Sequence, residues 1–70
     1  MDFEEKARIR LETWITHNDH HGEEYRSFAQ ELESTGMKES ARNVRDMISF
    51  TEKGTESLRK ALKALTPVEK

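Results

Sequence analysis

Ser34-Thr35-Gly36-Met37 divides the 70-residue chain almost in half, and its reading decides the fold. A glycine just past a periodic segment is the usual left-handed stop of a helix. On both sides of it, residues recur at alternating steps of four and three, the spacing of helices packed side by side with a slight left-handed supercoil. Before Gly36 the steps visit Ala7, Leu11, Trp14, Asn18, His21, Tyr25, Phe28 and Leu32. After it they visit Met37, Ala41, Val44, Ile48, Thr51, Thr55, Leu58, Leu62 and Leu65. Folding the chain at Gly36 opposes residues whose numbers add to 72 or 73, so that Leu11 meets Leu62, Trp14 meets Leu58 and Tyr25 meets Ile48. The expected fold is therefore all-α. It is an antiparallel hairpin of two long helices, about 3–34 and 38–65, with a turn at 35–37, forming one domain over 1–70. Thr66-Pro67 ends the second helix, because the residue before proline disfavours helical geometry.

Composition agrees with this reading. Only 33% of the residues are hydrophobic and 37% are charged, with three Gly, one Pro and no Cys. Without cysteine there is no disulfide framework, thiolate zinc site or thiol nucleophile. No apolar run approaches the roughly 20 residues that span a bilayer, and Met1-Asp2-Phe3-Glu4-Glu5 does not resemble a signal peptide, so a cytoplasmic location is expected. Residues 1–35 carry a net charge of −5 and residues 36–70 one of +3, which combine to the overall −2. An acidic helix against a basic one favours the antiparallel hairpin. The same balance argues against nucleic acid as a ligand, since half of the molecule repels phosphate.

One stretch strains the hairpin. Asn18-Asp19-His20-His21-Gly22 is rich in poor helix formers, and a break there would yield a monomeric three-helix bundle instead. The heptad phase nevertheless runs through it without a skip. In the hairpin, Asn18 falls opposite Thr55 and His21 opposite Thr51, so these four residues form one polar layer. Buried Asn and His in a heptad core set register and oligomer state at some cost in stability, and the threonine hydroxyls are available to satisfy them. The same stretch supports a second chemistry. His17, His21 and Glu24 stand at i, i+4 and i+7 on one face, and two imidazoles with a carboxylate suit a divalent transition metal such as nickel or zinc.

Two helices bury one stripe each, which is little for a chain this short. Beside the seam lie Ile15, Gly22 and Ala29 on helix one and Met47, Gly54, Ala61 and Val68 on helix two, each set at intervals of seven. Small residues at that spacing admit another backbone. The expected assembly is a homodimer forming a four-helix bundle with twofold symmetry. Phe3, Ile9 and Phe50 are either exposed or cover bundle ends.

Catalytic patterns fail on their own terms. Diiron bundles need Glu-x-x-His pairs, and no Asp or Glu stands three residues before any histidine here. No Gly-x-Ser-x-Gly elbow or Gly-rich phosphate loop is present either. The expectation is a non-enzymatic accessory or protein-interaction module, with a protein partner and neither nucleic acid nor membrane among its ligands.

The run Trp14-Ile15-Thr16-His17-Asn18-Asp19-His20-His21 resembles a Trp-Ile-x-His-Asn-x-x-His pattern of short prokaryotic helical proteins with no established activity. Tyr25, Phe28-Ala29, Gly36 and Leu58-Arg59-Lys60-Ala61-Leu62 are similar to the later parts of that pattern. The matching histidines are His17 and His21, with His20 extra, and Gly22 departs from the helix-favouring residue expected there. The resemblance implies a compact helical hairpin or bundle, sometimes found near metal-handling functions.

Overall fold

A computed structural model describes residues 2–65. Within them the chain forms two helices, α1 (Phe3–Ser34) and α2 (Lys38–Leu65), laid against each other as a hairpin. The Thr66-Pro67 stop and Val68 lie outside the described residues.

The ends of α1 explain themselves chemically. Asp2 caps its start by accepting from the Glu5 N–H at 2.9 Å, and Glu4 and Glu5 in the first turn complement the helix dipole. At its other end Gly36 adopts φ 87°, the left-handed conformation that a side chain disfavours. The Gly36 N–H bonds the Glu33 carbonyl at 3.1 Å and the Met37 N–H bonds the Leu32 carbonyl at 2.9 Å. These are the two reverse bonds of a Schellman stop. The Thr35 hydroxyl adds a third closure, donating to the carbonyls of Glu31 and Leu32. The turn is therefore where the sequence places it.

No break occurs at Asn18–Gly22; α1 runs through as a single helix of 32 residues. The three-helix alternative does not form. Gly22, costly in an isolated helix by about 1 kcal/mol, is buried, and a Cβ there would meet the Arg26 guanidinium at 3.5 Å.

The inward stripe of α2 follows its heptad: Ala41, Ile48 and Thr55 are buried, and Val44, Thr51, Leu58, Leu62 and Leu65 are partly buried. The stripe of α1 does not follow the expected one. Leu11, Asn18, Tyr25 and Leu32 are partly buried as expected, but Trp14 is 49% exposed and Phe28 53%. Their places are taken by Ile15, Gly22 and Ala29, of which the last has no exposed surface. Residues expected to admit a second chain thus line the intramolecular seam. Small residues win because they let two helices approach closely, whereas two aromatic rings in that row would hold them apart. Asn18 and Tyr25 still share one groove with Thr55 and Ile48, the residues whose numbers add to 73 with theirs. The register is the expected one, and α1 is rotated about its own axis.

That rotation gives the hairpin two unlike sides. On one, three ion pairs cross between the helices at seven-residue intervals: Asp19 with Arg59 at 2.8 Å, Arg26 with Glu52, and Glu33 with Arg45 at 2.5 Å. The numbers in each pair add to 78, and the sign alternates along each helix. All six side chains are about half exposed, so each pair contributes modestly, on the order of 0.2–1 kcal/mol. Reversing one charge, as in Arg26→Glu, is expected to lower the melting temperature by roughly 2–6 °C. The double exchange Arg26→Glu/Glu52→Arg restores most of it, measured by helical circular dichroism. If the double exchange melts lower than both single variants, the ladder does not couple the helices.

Candidate functional site

Opposite the ladder the surface is uncharged along α2. Met47, Phe50, Gly54, Ser57, Ala61 and Ala64 occupy its two outer stripes there, with no Asp, Glu, Lys or Arg between them on that face. From α1 the same side receives Phe3, Trp14 and Phe28. Five of the seven large exposed apolar residues, Phe3, Trp14, Phe28, Met47 and Phe50, therefore share one side of the hairpin. Ile9 and Met37 do not. Arg10 lies over the Trp14 ring at 6.0 Å and Lys53 over the Phe50 ring at 5.8 Å, so long basic side chains border this surface.

The histidine cluster sits on α1 midway along the same side. His21 is the hub. Its Nδ1 lies 2.9 Å from Glu24 Oε1 and its Nε2 2.7 Å from His17 Nε2. A carboxylate only accepts, so Nδ1 of His21 carries the hydrogen. Nε2 of the neutral ring is then the acceptor, and His17 donates from its own Nε2. The His21 ring stacks on Tyr25 with centroids 5.8 Å apart and planes 13° apart, and meets the His17 ring edge-on at 4.3 Å. His20 is directed elsewhere: its ring centroid is 6.2 Å from that of His21, and its Nε2 lies 3.5 Å from the other oxygen of Glu24. The hydrogen bond from His21 holds the Glu24 carboxyl below its ordinary value. Desolvation opposes this, and His20, His21 and His17 add to the lowering when they are protonated.

Helical spacing accounts for this arrangement. An i, i+4 step sets His21 above His17, so the two Nε2 atoms converge. The i, i+3 step to Glu24 places its carboxylate behind the His21 ring rather than beside the converging nitrogens. Among the described residues, no group of three or more His, Cys, Asp or Glu side chains is arranged to hold a metal ion. One chain presents two imidazole nitrogens and a carboxylate that orients one of them.

The four polar-layer residues divide between the two sides. Asn18, Thr51 and Thr55 line a groove of about 330 Å³ between the helices, opened by Gly22 and edged by the Asp19–Arg59 and Arg26–Glu52 pairs. His21 is not part of that groove. The threonine hydroxyls bond within α2: Thr55 donates to the Thr51 carbonyl at 2.9 Å and Thr51 to the Met47 sulfur at 3.4 Å. Sequence reasoning missed the ladder, although its signal was legible. Asp19, Arg26 and Glu33 alternate in sign at intervals of seven, and so do Arg45, Glu52 and Arg59.

No described helix is long and apolar enough to cross a membrane. No curated protein and no solved structure matches the chain. Residues 7–65, which include both faces of the hairpin, the histidine cluster and the Gly36 turn, match the family described as Domain of unknown function (DUF8180), and the chain belongs to that family.

Proposed function

We propose that the chain works as a homodimeric four-helix bundle, a small accessory or protein-interaction module without catalytic activity of its own. The observation that carries this reading is the side opposite the ion-pair ladder, where the outer stripes of α2 carry no charge and Phe3, Trp14, Phe28, Met47 and Phe50 are exposed. The intramolecular core is slight: among the described residues Ala29, Ala41 and Ile48 are the buried apolar ones, and no large side chain is fully enclosed. A second copy adds the missing volume.

A second copy of this chain fits that side by self-complementarity. With the two turns at opposite ends, α1 lies antiparallel on α1 of a second copy, centred near His21. Trp14 then sits beside Phe28 of the second copy, and Arg10 beside its Glu31, joining opposite charges. The α2 helices cross near Gly54, with Met47 beside Ala61, large against small. Both centres fall at nearly one level, because the numbers of His21 and Gly54 add to 75, close to the 73 of the hairpin register. An isologous interface requires such reciprocity.

The chain has no cysteine, so engineered thiols report cleanly. Gly54→Cys is expected to form a disulfide with its own copy under mild oxidation, in a species of two-chain mass by light scattering. Linkage of Gly54→Cys only to His21→Cys, in a mixture of the two variants, would place the turns at the same end and refute this arrangement. A wild-type mass of one chain at every concentration would refute the dimer. The rival reading, nickel or zinc bound by His17, His21 and Glu24 of one chain, is supported by the converging imidazoles but not by the orientation of Glu24.

A further inference from the structure

We infer that the dimer's twofold axis carries a site for one divalent transition-metal ion, held by Nε2 of His17 and His21 from both copies. This rests on the dimer with its turns at opposite ends. Three features of a single chain point to it. First, the two imidazoles bring their Nε2 atoms together, 2.7 Å apart across one hydrogen bond. Ligands at ~2.0–2.1 Å from a tetrahedral ion stand roughly 3.3 Å apart, so a small opening of the pair admits a metal. Second, the outer nitrogen of His21 is already engaged. Glu24 accepts from Nδ1 at 2.9 Å, the carboxylate–imidazole arrangement that fixes tautomer and ring orientation behind a metal ligand. Tyr25 stacks on the ring and fixes its plane. Third, Gly54 stands at about the same level on α2, and even a methyl group there would meet nothing within 4 Å.

Two imidazoles are too few to hold an ion firmly, and one chain offers no third donor that converges with them. The twofold axis supplies the rest. His21 is the residue about which α1 meets its copy, so the axis brings two His17–His21 pairs together as four neutral nitrogens. Such a donor set suits zinc with tetrahedral geometry, or nickel with water completing a larger shell. On binding, His17 moves its hydrogen from Nε2 to Nδ1, which leaves both Nε2 lone pairs free for the ion. Glu24 stays outside the coordination shell as the residue that positions His21.

Calorimetric titration of the full chain with Ni²⁺ and Zn²⁺, alongside light scattering, tests this. The expected result is one ion per two chains with Kd tighter than about 10 μM. His17→Ala and His21→Ala are expected to lose binding by 100-fold or more while retaining a two-chain mass. Glu24→Gln weakens binding by about 10–100-fold, as loss of an outer partner does, without changing the stoichiometry. One ion per chain overturns the shared site, as does a two-chain species that binds neither ion at this level. Undiminished affinity in Glu24→Gln removes the positioning role. A one-chain mass refutes the dimer itself, a failure that the scattering separates from failure of the metal site.

Discussion

The double variant Trp14→Glu/Phe28→Glu is expected to elute with the mass of one chain and to lose most of its helical signal at 222 nm. Both side chains are about half exposed in the hairpin, so each has roughly 1–1.5 kcal/mol of burial still to gain in an assembly. Four such side chains per dimer amount to about 4–6 kcal/mol, enough to raise Kd by 10³–10⁴-fold. The control is Ile9→Glu. Ile9 is 49% exposed, as Trp14 is, but it lies off the uncharged side, and its variant should remain dimeric with nearly unchanged stability. Exposure alone does not separate these residues; position does. A double variant that stays dimeric, or an Ile9→Glu that dissociates, would show that the chains meet through another surface. In the proposed dimer the accompanying loss of helix follows from the slight core, since a hairpin whose buried apolar residues, among those described, are two alanines and one isoleucine has little to hold it without a second copy.

Much of this architecture is legible in the sequence, and the part that is not has a definite cause. The turn was marked by Gly36, and the register by matching steps of four and three in the two halves. The stripe of α2 was also plain, because Ala41, Val44, Ile48, Leu58, Leu62 and Leu65 are more apolar than the row of Met47, Gly54 and Ala61 beside them. On α1 two rows compete. Trp14, His21 and Phe28 flank Leu11, Asn18, Tyr25 and Leu32 on one side, and Ile15, Gly22 and Ala29 flank them on the other. Hydrophobicity selects the aromatic row, but packing selects the small one, because close approach of two backbones gains contacts along the whole length of the seam. The ladder would have decided between them. Ion pairs bordering a seam must lie next to it, and Asp19, Arg26 and Glu33 adjoin the Ile15–Gly22–Ala29 row. At the histidine cluster, spacing revealed that His17, His21 and Glu24 share a face. It did not reveal that Glu24 would turn to Nδ1 of His21, because that depends on side-chain rotamers, which a heptad count does not describe.

The competition between the two rows of α1 can be put to measurement. Ala29→Leu is expected to destabilise the hairpin, because Ala29 has no exposed surface and three added carbon atoms would push α2 away. Overpacking of this kind costs about 1–3 kcal/mol. For a domain of this size that corresponds to a fall of roughly 5–20 °C in melting temperature. Phe28→Leu, one residue away, keeps an apolar group on the uncharged side and leaves the seam untouched, so a fall of only a few degrees is expected. Thermal circular dichroism at equal chain concentration separates the cases. If Phe28 packed in the seam and Ala29 beside it, the order would invert: leucine at 29 would be tolerated, and leucine at 28 would leave a cavity beneath α2. The two substitutions therefore report the rotation of α1 directly. That rotation also decides whether His21 faces the groove lined by Asn18, Thr51 and Thr55 or the opposite side, where the second copy is proposed to dock.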